Sequence, residues 1–228
     1  QKNIIELAKK NFKPKRKSII SLIRLACHYH EVKEILPLIN WLKKSGYKVG
    51  INIMQIPELS SLEIRHVVKE IKKTKADVLY FADSMGSLDS LQTKRIINQI
   101  KSLWKKSTGI HTHDNMGKAL ENSITAINNS VNWVDCTVTG MGRGPGNTQT
   151  EYLILELNRK KEHLTNLFNL IKNYFEPLKE RYKWGSNPFY YLAGLNSIHP
   201  TFVQEMLNDN GFEPEDIYYN LKNLSTVG

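Results

Sequence analysis

Five times in succession an apolar run is followed by an amphipathic stretch, and this alternation restricts the chain to parallel strands joined by crossover helices. Residues 19–27 (IISLIRLAC) read as a buried strand. Residues 31–45 then space Val32, Ile35, Leu36, Ile39 and Leu42 as one helical face, and Gly46 stops it. Strands are expected again at residues 47–54, 77–82, 109–113 and 133–139, and helices at 61–74, 91–105, 118–129 and 148–158. Repeats of roughly 25 to 30 residues suit either an open doubly wound sheet or a closed barrel. The polar residues fall just past strand ends: His28 and His30, Asn52 and Gln55, Asp83 and Ser84, His111 and His113, then Thr139 onward. Active sites of parallel α/β folds lie at those ends, and polar residues on five successive ends favour a barrel mouth.

Beyond residue 162 no strand pattern returns. Residues 164–182 read as one long amphipathic helix. Shorter helices follow, each opened by a proline suited to the first helical position, at Asn187-Pro188, His199-Pro200 and Glu213-Pro214. The expected organisation is a barrel domain over residues 1–159 and a small helical domain over 160–228.

Composition excludes several classes. No apolar run among the 228 residues approaches the roughly 18 needed for a spanning helix. Two cysteines, Cys27 and Cys136, are too few for a disulfide scaffold, so a cytoplasmic setting is expected. The net charge of +10 owes +6 to residues 1–17, where seven Lys/Arg face one acid, Glu6. Neither stacking aromatics nor a recognition element accompanies that charge, so nucleic acid is not an expected partner. The first residue is Gln1, without an initiator Met, and the expectation is a chain that begins partway through a gene product.

Two motifs carry chemistry. In His111-Thr112-His113 the two histidines are two apart on an expected strand, so both imidazoles point to one side and offer two nitrogens to a divalent metal. The loop Gly140-Met141-Gly142-Arg143-Gly144-Pro145-Gly146-Asn147 permits close backbone approach. It follows the fifth strand rather than the first and has Pro at 145, against a dinucleotide fingerprint. It also lacks the Gly-Lys-Ser/Thr of a phosphate loop.

The run HTHDNMGKALENSITAINNSVNWVDCTVTGMGRGPGNTQTEYLILEL resembles the metal-binding half of the pyruvate carboxyltransferase/HMG-CoA lyase-like (DRE-TIM metallolyase) superfamily, nearest to the 4-hydroxy-2-oxovalerate aldolase type. Asp83-Ser84-Met85-Gly86 resembles the turn after that family's fifth barrel strand, and the likeness reaches back to Ile19. WGSNPFYYLAG and IHPTFVQEML resemble its helical C-terminal domain. The fold this resemblance implies is α/β, a TIM (β/α)8 barrel lacking its first two strands in this chain, with a small C-terminal helical domain.

Carried over by residue, the resemblance implies metal ligation by His111 and His113, with Asn147 ligating or bordering the metal, Mn²⁺ or Mg²⁺. Asp83, Ser84 and Arg143 become substrate-binding candidates, and Tyr190, with Tyr191 its rival, the tyrosine that helps with the C4 hydroxyl proton. The family's Arg-Asp-Gly or Arg-Asp-Glu motif, whose Asp completes the metal site, is absent here, which leaves this chain alone open to being inactive. The implied activity is a carbon–carbon lyase, an aldolase acting on a 2-oxo acid through a metal-stabilised pyruvate enolate. The alternatives are a Claisen-type acyl-CoA synthase or CoA lyase, weakened by the lack of Cys in the glycine loop, and a non-catalytic fragment. The resemblance also allows a homodimer and an aldehyde dehydrogenase partner.

Overall fold

The computed structural model describes residues 2–157 and 161–224. They divide into two compact units, the first taking the chain through Ala82, Arg95–Ile110 and Val131–Trp133, the second Asp83–Lys94, His111–Ser130 and Val134 onward. The expected boundary between residues 159 and 160 lies outside the described residues.

After helix α1 (Lys2–Asn11) comes the alternation β1 (Leu22–Cys27), α2 (Val32–Lys44), β2 (Lys48–Ile53), α3 (Ser61–Lys72), β3 (Val78–Asp83), α4 (Ser90–Leu103), β4 (Ser107–Thr112), α5 (Ala119–Asn128) and β5 (Trp133–Val134). The sheet order is β1-β2-β3-β4-β5, with β1, β2 and β3 parallel in register from Leu22↔Lys48 and Gly50↔Val78. A doubly wound sheet reverses its order at a switch point, whereas a barrel keeps sequence order throughout. This strictly sequential order therefore resolves the choice that strand spacing alone left open, in favour of the barrel.

The first unit is built on wholly buried strands. Val49, Ile51 and Ile53 of β2 and Val78, Leu79 and Phe81 of β3 are buried, as are Ile39 and Leu42 of α2 and Val67, Val68 and Ile71 of α3. Helix α3 starts on a capping box, in which the Glu63 amide donates to Ser60 Oγ and the Ser60 amide to Glu63 Oε2. Tyr80 explains two of the glycines. Its ring carries the Arg24 guanidinium 4.7 Å above it and lies against Gly50 of β2 and Gly109 of β4. A Cβ at Gly109 would overlap the ring itself.

Asp77 locks the start of β3 to its neighbours. Its carboxylate accepts from Lys43 Nζ at 2.7 Å and from the Val49 amide at 2.7 Å. Burial alone would raise its pKa, but the ammonium and the amide outweigh burial and hold the carboxyl below the usual carboxylate range.

Three local expectations need correction. Residues 19–21 are not strand, and Ile19 is wholly exposed. The fifth strand stops at Val134 because the backbone beyond pairs with the returning loop: the Thr137 amide donates to Thr148 O and the Thr150 amide to Thr137 O. The helix over 164–182 is α7 (Lys161–Leu170) and α8 (Glu176–Tyr182), joined by a π-turn at Ile171–Phe175. Pro177 has no amide and its ring would clash one turn back, so the turn before it widens.

The second unit holds α6 (Thr150–Glu156) and three helices that begin where their prolines lead: α9 (Pro188–Leu195), α10 (Pro200–Asn208) and α11 (Pro214–Leu224). Asn187 Oδ1 caps α9 by accepting the Phe189 and Tyr190 amides, both at 3.0 Å. Tyr190, Ala193, Ile198, Val203, Met206, Ile217 and Leu221 form its helical core.

Two stability outcomes follow. Gly109→Ala forces a methyl into the Tyr80 ring and should cost about 1–3 kcal/mol in chemical denaturation. Asp77→Asn should cost about 1 kcal/mol at pH 7, a modest figure because the pair is partly solvated. Since the folded-state pKa is depressed, that stabilisation is present above the ordinary carboxylate pKa of about 3.9 and is lost as pH falls through the folded value. The two proteins should therefore converge in stability as pH falls below the ordinary carboxylate range in a pH series of urea melts.

Candidate metal and substrate site

The end of β4 sets the site. His111 is its penultimate residue and His113 lies one past its end, in an isolated antiparallel bridge with Asn147. Between them Thr112 points the other way into a buried hydroxyl cluster, with its Oγ1 2.6 Å from Thr148 Oγ1 and 3.3 Å from Ser123 Oγ. The strand's alternation thus turns both imidazoles to the opposite side, their ring centroids 5.1 Å apart.

The two rings are held differently. His111 Nδ1 lies 3.0 Å from Asp135 Oδ2. A carboxylate in that position takes the Nδ1–H tautomer and presents Nε2 as the lone-pair donor. The His113 Nδ1 is buried and has no hydrogen-bond partner. Burial, reinforced by His111, Arg143 and His199, pushes the His113 pKa down to about 3, so this imidazole is neutral at physiological pH. Two imidazoles side by side, one of them neutral with an orphaned buried nitrogen, suit a divalent cation. The Asn147 amide fits beside them: its Nδ2 donates to Met141 O at 3.2 Å, which keeps its oxygen as an acceptor. Among the described residues no group of three or more His, Cys, Asp or Glu side chains could hold a metal ion, so these residues supply part of a coordination set.

The glycine loop brings the remaining groups. Gly146 sits at φ +81°, with the Gly140 carbonyl where a Cβ would stand. Gly144, at φ +56°, lies flat against the Tyr190 ring and hydroxyl, 3.1 Å from where its Cβ would be. The segment after α8 straps this loop: the Gly185 amide donates to Gly144 O at 2.9 Å and Trp184 Nε1 to Thr139 O at 3.0 Å. Arg143 Nη2 reaches His199 Nε2 at 3.2 Å. Tyr190 is buried, whereas its neighbour Tyr191 is exposed. Burial raises the Tyr190 pKa against the opposing charge of Arg143, so its hydroxyl stays protonated at neutral pH.

Asp83 is fully buried, and its carboxylate accepts the Ser87 and Leu88 amides at 3.0 and 3.1 Å. Burial lifts its pKa to about 6 despite those bonds. Its carbonyl accepts the His113 amide at 3.4 Å, tying the turn that follows β3 to the histidine segment. Ser84 beside it is also buried. Asp114 Oδ1 accepts the Ala119 amide at 3.0 Å, a cap on α5. His28 and Asn52 belong to the first unit.

The structure therefore brings together His111, His113, Asn147, Arg143 and Tyr190. It adds two residues that the sequence pattern did not single out, Asp135 and His199. Asp135 carried a signal, a carboxylate inside the strand expected over residues 133–139, which in the structure ends at Val134. His199 was legible only as a helix start, and its Nδ1 does accept the Thr201 amide at 3.4 Å.

The HMGL-like family model matches residues 19–173. The 4-hydroxy-2-oxovalerate aldolase of Pelotomaculum thermopropionicum is 26% identical over 214 residues, covering 92% of this chain and 63% of that protein's length. The N-terminal domain of a candidate aldolase from Bacteroides vulgatus superposes with a TM-score of 0.77 at 30% identity, covering 93% of this chain and 73% of that one. Bacillus subtilis HMG-CoA lyase shares the fold, with a TM-score of 0.61 at 16% identity over 72% of this chain and 63% of its own. The parallel strands are thus those of a TIM-barrel fold, of which this chain carries five together with C-terminal helices.

In metal-free protein, ¹⁵N-edited NMR should show His111 as the Nδ1–H tautomer, and Asp135→Ala should shift it toward the Nε2–H form. With the histidine strand end, its partner carboxylate and the glycine loop all within residues 19–173, the chain belongs to the HMGL-like family.

Proposed function

We propose that this chain is the metal-binding part of a divalent-metal-dependent aldolase, a carbon–carbon lyase that splits a 4-hydroxy-2-oxo acid into pyruvate and an aldehyde. The observation that carries the reading is the imidazole pair His111/His113, one ring oriented by Asp135 and the other buried with an orphaned nitrogen. The aldolase name of the relatives favours cleavage over the Claisen and CoA-lyase alternatives. So does the glycine loop, which lacks a cysteine.

His111 and His113, with the Asn147 amide oxygen, would hold the ion, Mn²⁺ or Mg²⁺. When bound, the ion supplies Lewis-acid polarisation of the 2-oxo group, which makes the pyruvate carbanion accessible as an enolate. The protein's own groups handle position and protons. In cleavage the C4 hydroxyl proton passes to a general base as the C3–C4 bond breaks, with the Tyr190 hydroxyl hydrogen-bonded to that oxygen, and in the reverse addition the protonated Tyr190 hydroxyl donates to the forming C4 alkoxide. Arg143 offers a fixed cation to a substrate oxyanion, and Ser84 and Asp83 a polar rim at the end of β3. The same reading places the protein in the cytoplasm and extends to a homodimer and an aldehyde dehydrogenase partner on the helical tail.

The test is metal-dependent exchange of pyruvate methyl protons into D₂O, by this chain and by a version extended upstream. Exchange by the extended protein that His111→Ala abolishes is the expected result. No exchange by either protein, with His111→Ala leaving metal content unchanged, overturns the reading. In the active form, Tyr190→Phe should lower aldol cleavage by about 10²-fold or more. Asp135→Asn should weaken Mn²⁺ binding about 10- to 100-fold by calorimetry.

A further inference from the structure

One cavity of the second unit is not explained by the metal-facing groups. It has a volume of about 540 Å³ and lies between the glycine loop and residues 182–208, with Arg143, Lys183, Tyr182, Tyr190, Gln204 and Asn208 on its walls. Its lining contains two cations and no Asp or Glu. A second cavity in the same unit, about 610 Å³, shares Lys183, Trp184 and Asn187 with it and contains both signs, with Asp114 and Glu180 beside Lys179 and Lys183. Arg143 and a lining without acids belong to the first cavity.

Neither cation is neutralised by a carboxylate among the described residues. Arg143 makes its one side-chain contact with an imidazole, His199 Nε2 at 3.2 Å, which orients the guanidinium without cancelling its charge. Lys183 sits at the C-terminus of α8 in the left-handed conformation, φ +56°, its place fixed by its amide donating to Lys179 O at 2.8 Å. A planar guanidinium and an ammonium facing one concave space, with side-chain amides beside them, are the donors that bind carboxylate or phosphate oxygens. Tyr182 and Tyr190 add apolar wall for a short carbon chain. Tyr190 is also the wall that this cavity shares with the reacting groups.

We infer that this cavity binds an oxyanion, a carboxylate or phosphate, carried on the aldehyde half of the substrate. The inference rests on the aldolase reading and narrows it: the substrate is a 4-hydroxy-2-oxo acid whose chain beyond C4 ends in a negative charge, unlike 4-hydroxy-2-oxovalerate. Arg143 and Lys183 bind that end, and Gln204 and Asn208 donate amide hydrogens to it.

The test uses the metal-free full chain, titrated with inorganic phosphate and separately with malonate, while side-chain NMR signals of Arg143, Gln204 and Asn208 are followed. Saturable shifts confined to those residues are expected. Lys183→Gln and Arg143→Gln, each checked for an unchanged unfolding transition, should each weaken binding about tenfold or more. Saturation by phosphate alone assigns a phosphorylated aldehyde, and saturation by malonate alone a carboxylated one. Absence of saturation by both in folded protein, or saturation unaffected by either substitution, overturns the inference. Pyruvate proton exchange needs no aldehyde and should be unchanged in Lys183→Gln. Exchange without oxyanion binding therefore removes this inference and spares the aldolase reading. Oxyanion binding without exchange removes the aldolase reading, and with it the assignment of the oxyanion to an aldehyde.

Discussion

The site depends on the hydroxyl cluster beneath the strand end of β4. Thr112, Ser123 and Thr148 bond to one another, and Thr148 Oγ1 also donates to Ala119 O at 3.0 Å. All three side chains are buried, so an apolar replacement at any one removes a hydrogen-bond partner from each of the other two. The cluster fixes the phase of the strand, and the phase sends His111 and His113 to the opposite side. Thr148 also begins the segment after the glycine loop, so the same bonds seat the loop beside the histidines. Asn147, Arg143 and the Gly144 face against Tyr190 follow from that seating.

The electrostatics divide the site into two regions of different character. Burial lowers the His113 pKa most, and His111, Arg143 and His199 push it the same way. A neutral imidazole there can take a cation only if anionic ligands arrive with it, which is how a 2-oxo acid carboxylate would enter. Asp135 works differently. It sits against His111 and leaves that ring a better lone-pair donor. The two histidines are thus unequal: one oriented by a carboxylate, the other by burial.

Much of this architecture was legible in the sequence because it rests on short-range rules. Continuous apolar runs and period-3.6 apolar patterns located β2, β3, α2 and α3 to within two residues, since the strands are buried on both faces and the helices on the face the pattern names. The prolines at 188, 200 and 214 each open a helix. The HTH pair and the glycine loop were visible because both histidines sit on one strand end and the loop is contiguous. The misses were long-range. Residues 135–139 have strand composition but bond to 148–150, and apolar periodicity carries no information about that partner. The π-turn at Ile171–Phe175 depends on how Pro177 is relieved in space. His199 reaches Arg143 across 56 residues, a pairing that neither residue's local context signals.

The central claim is that the imidazoles of His111 and His113 together hold a divalent cation. Electron spin-echo modulation of Mn²⁺ added to the protein measures this directly, because a ligating imidazole imprints its ¹⁴N coupling on the manganese signal. The account predicts modulation from two imidazole nitrogens, reduced to one in either single substitution, His111→Gln or His113→Gln, and absent in the double. Bound Mn²⁺ without ¹⁴N modulation, or with modulation that both substitutions leave intact, would contradict it.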